Sequence, residues 1–181
     1  FLIALSFKFK NMTEILASKE RLESFKSFHR KVESFKFRIY LMAKLPSAFF
    51  SGVKVISLNN EVCYTSVPYK WFSQNPFKST YFAVQSMAAE LSTGLPAIMA
   101  IENKKPRISM LVVNMEAEFL KKSVGLTIFE CREVGKIINA AEFAVQTGVG
   151  QTVRALVVGK DKEGNIISNF YFTWSFKSKS K

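Results

Sequence analysis

One stripe of side chains in this sequence has both the residue types and the spacing to do chemistry. Ser79, Ala83, Ser86, Glu90 and Thr93 recur at intervals of four, three, four and three, so a helix would place them on a single narrow face. The rest of the segment Asn75 to Gly94 is apolar in almost every direction, through Tyr81, Phe82, Val84, Met87, Ala88 and Leu91. A helix that is apolar nearly all round is buried. A buried helix with a carboxylate on its polar stripe has either a packing partner for that carboxylate or a use for it. Poor hydration would raise the pKa of Glu90 and let it take a proton from water near neutral pH. The other reading is structural, with Glu90 satisfied by strand backbone or a neighbouring lysine, and the residues alone leave both open.

Other chemistries lack parts. The single histidine, His29, sits in Ser24-Phe25-Lys26-Ser27-Phe28-His29-Arg30 and reads as a solvated helix residue. No Gly-x-Ser-x-Gly elbow accompanies it, so Ser-His-Asp and Cys-His catalysis are not expected. Cys63 and Cys131 are far apart in the chain, with no second Cys or His at ligand spacing, which argues for two buried thiols and no metal site. Gly148-x-Gly150 follows a helical pattern instead of leading into one, so it reads as a stop and not as a phosphate cradle. The net charge of +12 raises the question of nucleic acid, but the lysines are scattered and only Lys177–Lys181 forms a tight cluster. A generally basic surface, attractive to polyanionic small molecules, fits this better, and no nucleic-acid partner is expected.

The elements that must position Glu90 are legible in outline. With 48% hydrophobic and 22% charged residues over 181 positions, one globular domain is expected. No apolar run is long enough to span a bilayer, Phe1–Leu5 is too short for a signal-peptide core, and a cytoplasmic location follows as the expectation. Met12 is a candidate natural start, which would make Phe1–Asn11 upstream sequence. From Glu14 to Leu45, Leu22, Phe25, Phe28, Val32, Phe35, Ile39 and Met42 recur at spacings of three and four. They predict an amphipathic helix, or two shorter ones, ended by Pro46 and covering an edge or mouth of the domain; a membrane-surface helix is the alternative.

Val53–Leu58 and Val62–Val67 predict a hairpin turning at Asn59-Asn60-Glu61. Asn75-Pro76 predicts the start of the central helix, with Ser79 as a second possible cap, and Gly94 with Leu95-Pro96 predicts its end. Ser109–Leu120 reads as a long strand with Leu111, Val113, Met115, Ala117 and Phe119 on one face, and Ser123–Cys131 as another strand. Residues 133–146 read as a helix on Val134, Ile137, Ile138, Ala141 and Val145. Gln151–Gly159 and Asn165–Lys177 pair around Asp161–Gly164, and Ile166, Ser168, Phe170, Phe172, Trp174 and Phe176 share an aromatic face. The fold class is α+β: an antiparallel sheet wrapped around one apolar helix.

This arrangement resembles the hotdog fold. Leu45-Pro46-x-Ala48-Phe49-x-x-Gly52-Val53, Val67-Pro68, Asn75-Pro76-Phe77-x-Ser79-x-Tyr81-Phe82, Ala88-Ala89-Glu90, Gly164-x-Ile166 and Phe172-x-Trp174-Ser175-Phe176 resemble the thioesterase-like hotdog family of unassigned substrate, related to the PaaI-type acyl-CoA thioesterases. The similarity runs from about Arg38 to Lys177. It implies a hotdog domain over 38–181, an N-terminal extension with an added helix over 1–37, and a helical insertion near 133–146. It implies a homodimer with sheets joined edge to edge, or dimers paired into tetramers, and an acyl thioester substrate entering beside the central helix at the dimer interface.

In PaaI-type enzymes a His-Gly-Gly turn leads into that helix, whose first N–H groups polarise the thioester carbonyl. By this resemblance Phe77, Lys78, Ser79 and Thr80 would bind substrate, with the N–H groups near Ser79 and Thr80 as oxyanion donors. Ser86 or Gln85 stands where the family carries a carboxylate, and Glu90 comes one turn later on the same stripe. Glu90 would be the general base, Ser86 and Gln85 would orient water, and Asn75 would bond substrate or water or else cap the helix. No metal or cofactor is expected beyond coenzyme A carried by the substrate, its phosphates held by basic residues. The alternative function is a non-catalytic binder of acyl chains or acyl-CoA.

Overall fold

The computed structural model describes Glu23, residues 25–102 and residues 104–178; the expectations for the Phe1–Leu5 run, Met12, the start of the N-terminal helix and the end of the lysine tail lie outside the described residues. Three helical stretches come first: α1 (25–33), α2 (Phe35–Lys44) and α3 (Pro46–Ser51). The hairpin β1 (Lys54–Leu58) and β2 (Cys63–Val67) leads through a short 3-10 turn at Trp71–Ser73 to the long helix α4 (Phe82–Ile101). Then follow β3 (Ile108–Phe119), β4 (Thr127–Cys131), α5 (Val134–Thr147), β5 (Gln151–Lys160) and β6 (Ile166–Ser178). The six strands form one antiparallel sheet in the order β1-β2-β4-β5-β6-β3. Its inner face packs on α4, which touches β1, β2, β4, β5 and β6, so the expected sheet around an apolar helix is present.

The strand chemistry explains that face. In β6 the alternating Phe170, Phe172, Trp174 and Phe176 are buried against α4, as the period of two predicts. The β1–β2 turn is held by Asn59 Oδ1, which accepts the N–H groups of Glu61 and Val62, each at 2.8 Å. The β5–β6 turn needs Gly164 at φ 85, and Asp161 Oδ1 accepts the Asn165 N–H at 2.8 Å. The hydrogen bonds from Asn165, reinforced by Lys121, hold the Asp161 carboxyl at about 2. In α5 Val134, Ile137, Ile138 and Ala141 are buried as their spacing predicts, and Gly148 at φ 71 ends the helix.

Three features depart from the sequence reading. Gly94 and Pro96 do not stop α4: Leu95, Ala97, Met99 and Ala100 are buried and the helix runs to Ile101. Gly94 is the point where the Trp174 ring crosses the helix, 3.5 Å from where a Cβ would sit. In β3 the single apolar face is split by a β-bulge at Val113, because Val112 pairs with Trp174 while Asn114 pairs with the adjacent Thr173. Met110 and Val112 lie toward the core before the bulge, whereas Leu111 and Val113 are exposed. The N-terminal helix breaks at Ser34, whose hydroxyl donates to the Lys31 carbonyl at 2.6 Å. Phe25, Phe28 and Val32 are buried as expected, but the helical phase then shifts. Leu41 takes the core position, and Phe35, Ile39 and Met42 face outward.

Two reactive residue types also find their places. Cys63 and Cys131, distant in sequence, sit opposite each other on β2 and β4 and are completely buried. Burial holds both as protonated thiols, pushing Cys131 up to about 11 and Cys63 further. His29 is half-buried instead of solvated. Its Nε2 is shut off from water with no partner among the described residues, and that desolvation lowers its pKa.

Candidate active site

The loop into α4 is built by Asn75. Its Oδ1 accepts the N–H groups of Phe77 at 3.0 Å and Ser79 at 3.2 Å, and the Ser79 hydroxyl at 3.2 Å. Those bonds close a turn in which Lys78 adopts φ 57. Asn75 therefore caps this turn and not the helix. The Thr80 N–H donates to the Ser123 carbonyl and the Tyr81 N–H to the Ser73 carbonyl, both at 2.7 Å. The N–H groups of Ser79 and Thr80, expected as oxyanion donors, are thus already bonded within the chain. Helix α4 begins at Phe82 with no side-chain cap, and in its first turn the Phe82 and Ala83 N–H groups have no intrahelical carbonyl to meet. A cavity of about 550 Å³ opens here, bordered by Asn75, Phe77, Ser79, Tyr81, Phe82 and Phe119. Phe77 and Lys78 are exposed, while Ser79 and Thr80 are buried.

Gln85 is a positioning residue in this arrangement. It is buried; its Nε2 donates to the Thr80 carbonyl at 3.1 Å and its Oε1 accepts from the Ser168 hydroxyl at 3.2 Å. Ser123 completes the anchorage by donating to Thr80 Oγ1 at 3.0 Å and sharing a 2.6 Å hydrogen bond with Thr127. Ser86, half-buried, turns its hydroxyl back to the Phe82 carbonyl at 2.9 Å.

Glu90 is held differently. Unlike the buried helix faces around it, Glu90 is exposed to solvent; no group among the described residues bonds its carboxylate, and the partial desolvation of the carboxyl beside apolar neighbours raises its pKa. It borders a second cavity, of about 520 Å³, together with Tyr40, Lys44, Met87, Met110 and Trp174. The wall is fixed by Thr93, whose Oγ1 donates to the Glu90 carbonyl and accepts the Trp174 Nε1–H, both at 2.9 Å. A basic side chain and an apolar-tuned carboxylate on one cavity can bind an anionic ligand and move a proton.

The expected residues do not all converge. Asn75, Phe77, Ser79, Thr80 and Gln85 border the cavity at the start of α4, whereas Glu90 borders the other. Glu90 follows Phe82 by eight residues, about 12 Å of helical rise, so the two ends cannot act on one carbonyl within a single chain. Sequence reasoning missed Tyr40 and Lys44. Their spacing of four places them on one helix face, but assigning Phe35, Ile39 and Met42 to the core put that face out of phase.

Among the described residues, no group of three or more His, Cys, Asp or Glu is placed to hold a metal ion, and no helix is long and apolar enough to cross a membrane. No protein-family model and no curated protein sequence matches this chain. Solved structures do resemble it. One is a Pseudomonas aeruginosa protein of unknown function described as a probable thioesterase, 16% identical over 81% of this chain and 97% of that one, with a TM-score of 0.67. Another is a protein of unknown function from Chlorobaculum tepidum, 11% identical over 80% and 93%, with a TM-score of 0.65. A thioesterase from Haemophilus influenzae is 10% identical over 78% and 88%, with a TM-score of 0.56. At these identities the likeness is one of fold: this chain wraps its antiparallel sheet around a central helix in the hotdog manner.

Proposed function

We propose that this protein is a thioester hydrolase acting on an acyl group carried by coenzyme A or an acyl carrier protein, with Glu90 as general base. The observation that carries this reading is the Glu90 carboxylate, without a partner among the described residues and with its pKa raised by partial desolvation, on a cavity shared with Lys44. Glu90 takes a proton from water as the water oxygen bonds to the thioester carbonyl carbon. Collapse of the tetrahedral intermediate breaks the C–S bond, and the departing sulfur takes the proton back from Glu90, giving a carboxylic acid and a thiol. Lys44 and neighbouring basic residues hold the phosphates of the carrier. In this reading residues 38–181 carry the hotdog domain and 1–37 extend it.

The carbonyl-polarising donors come, in this proposal, from the start of α4 in a second copy, because the same chain's donors lie too far from Glu90. The outer edge of β3 supports such a dimer. It offers unpaired backbone groups and exposes Leu111 (63%) and Val113 (51%). A second reading, a non-catalytic acyl binder, is favoured by Gln85 and Ser86: the first is bonded within the fold and the second turns back to its own helix.

Thiol release from a panel of acyl-CoAs separates the two. We expect turnover by the wild type that falls by about 10²-fold or more in Glu90→Gln and rises with pH as a carboxyl above the ordinary range ionises. Turnover unchanged in both Glu90→Gln and Ser86→Ala would remove this site from the chemistry. Acyl ligand bound without hydrolysis would establish the binder.

A further inference from the structure

We propose that the acyl chain of the substrate lies in an apolar trough between α2 and α4, and that the N-terminal helices select medium-to-long acyl groups. This deepens the thioester-hydrolase reading and rests on it. A further cavity of about 390 Å³ is bordered by Phe28, Val32 and Phe37 from the N-terminal helices and by Leu95 from α4. Tyr40, Leu45, Leu91 and Ile98 line both this cavity and the one containing Glu90, so the two lie side by side along α4.

The trough has a direction. Glu90 and Lys44 border it at one end; at the other, Lys31 and Glu102 form an ion pair at 2.9 Å. Glu90 to Glu102 spans twelve residues of chain, about 18 Å at the helical rise, the reach of an extended medium or long acyl chain and far more than an acetyl group needs. Between these ends the walls are mainly hydrocarbon and aromatic, which favours an occupant without polar groups along its length. The charges suit the same occupant. Lys44 at the mouth complements an anionic carrier; further along, the Lys31–Glu102 pair is mutually neutralised and Lys36 of α2 borders the cavity as well. Since Phe28, Phe37 and Tyr40 belong to α1 and α2, the wall that fits the chain is contributed ahead of the central helix and sheet. Ile98, 37% exposed at the junction of the two cavities, is the gate between them.

The test is Ile98→Trp in the full chain, with Tyr40→Ala as a second variant at an exposed position in the same throat. Two readouts are used: KM for a series from butyryl-CoA to octadecanoyl-CoA, and binding of free dodecanoate by displacement of a fluorescent fatty acid. For the wild type, KM should fall by about fourfold per added methylene until the chain reaches the far ion pair, and then level off. In Ile98→Trp the preference for decanoyl over butyryl should drop by about tenfold or more and dodecanoate binding should be lost; Tyr40→Ala, which removes apolar wall from the throat, should weaken the same preference. If hydrolysis is measured but chain preference is the same in both variants, the trough is overturned and the hydrolase reading survives. If no thioester is hydrolysed, dodecanoate bound by the wild type and lost in Ile98→Trp upholds the trough without the catalysis, and dodecanoate not bound at all overturns the trough.

Discussion

Glu90 and Gln85 lie on the same helix five positions apart, yet their environments assign them opposite tasks. Gln85 has both ends of its amide bonded inside the fold, so it holds the start of α4 against β6. Glu90 has water and apolar walls around its carboxylate and no partner among the described residues, which costs stability when it is charged. The sign of that cost is testable. Burial raises the folded-state pKa, so the folded chain holds the proton more tightly than the unfolded one. Its stabilising share is present at low pH and is lost as pH rises from the ordinary carboxyl value through the raised one. Glu90→Gln should therefore melt higher than the wild type at pH 7, with the difference vanishing below about pH 4. Equal melting temperatures across that range would mean that Glu90 is as well hydrated folded as unfolded. Gain of stability with loss of turnover is the pattern of a residue kept for its chemistry.

At the level of elements, two interior glycines, Gly94 in α4 and Gly159 in β5, have different neighbours. A Cβ at Gly94 would lie 3.5 and 3.6 Å from Trp174 ring atoms, ordinary contact, in the interior of a helix. Gly94→Ala should stabilise the fold by up to about 1 kcal/mol. A Cβ at Gly159 would come within 2.7 Å of Ser168 Oγ and 2.8 Å of Phe129 Cε1, inside the packed sheet. Gly159→Ala should cost about 1–3 kcal/mol. Urea midpoints for the two variants check both signs. The same helix shows where sequence reasoning stopped working. Gly and Pro penalties of about 1 and 3 kcal/mol predict a stop at Gly94-Leu95-Pro96. Burying Leu95, Met99 and their alanine neighbours, at about 1.5–3 kcal/mol for each large side chain, outweighs them. The hairpins, α5 and the aromatic face of β6 were legible because local spacing and tertiary burial agree there. The bulge at Val113 and the phase slip at Ser34 were not, because each depends on what lies across the fold. In the site, the helical position of Ser86, Glu90 and Thr93 could be read from spacing, but Ser79 falls in the turn before α4; Lys44 depended on the phase of another helix and the pairing of Cys63 with Cys131 on sheet order.

For the whole molecule, the sheet ends on one side at β3, twelve residues long and pairing, among the described residues, with β6 alone. An open apolar edge of that length is a template for another strand. Under the proposed dimeric hydrolase, the wild type should scatter light as a dimer, and replacing Leu111 and Val113 together by lysine should give single chains and remove hydrolysis. An unchanged mass would place the interface elsewhere.

The two tryptophans of the sequence are sorted by the fold into opposite surroundings. Trp71 is 75% exposed, while Trp174 is 5% exposed, pinned by its hydrogen bond to Thr93 and forming part of the wall beside Glu90. An aqueous quencher reaches the first and not the second. The emission that survives quenching therefore belongs to a fluorophore native to the cavity wall, and the unlabelled protein carries its own optical gauge of whether that cavity is filled.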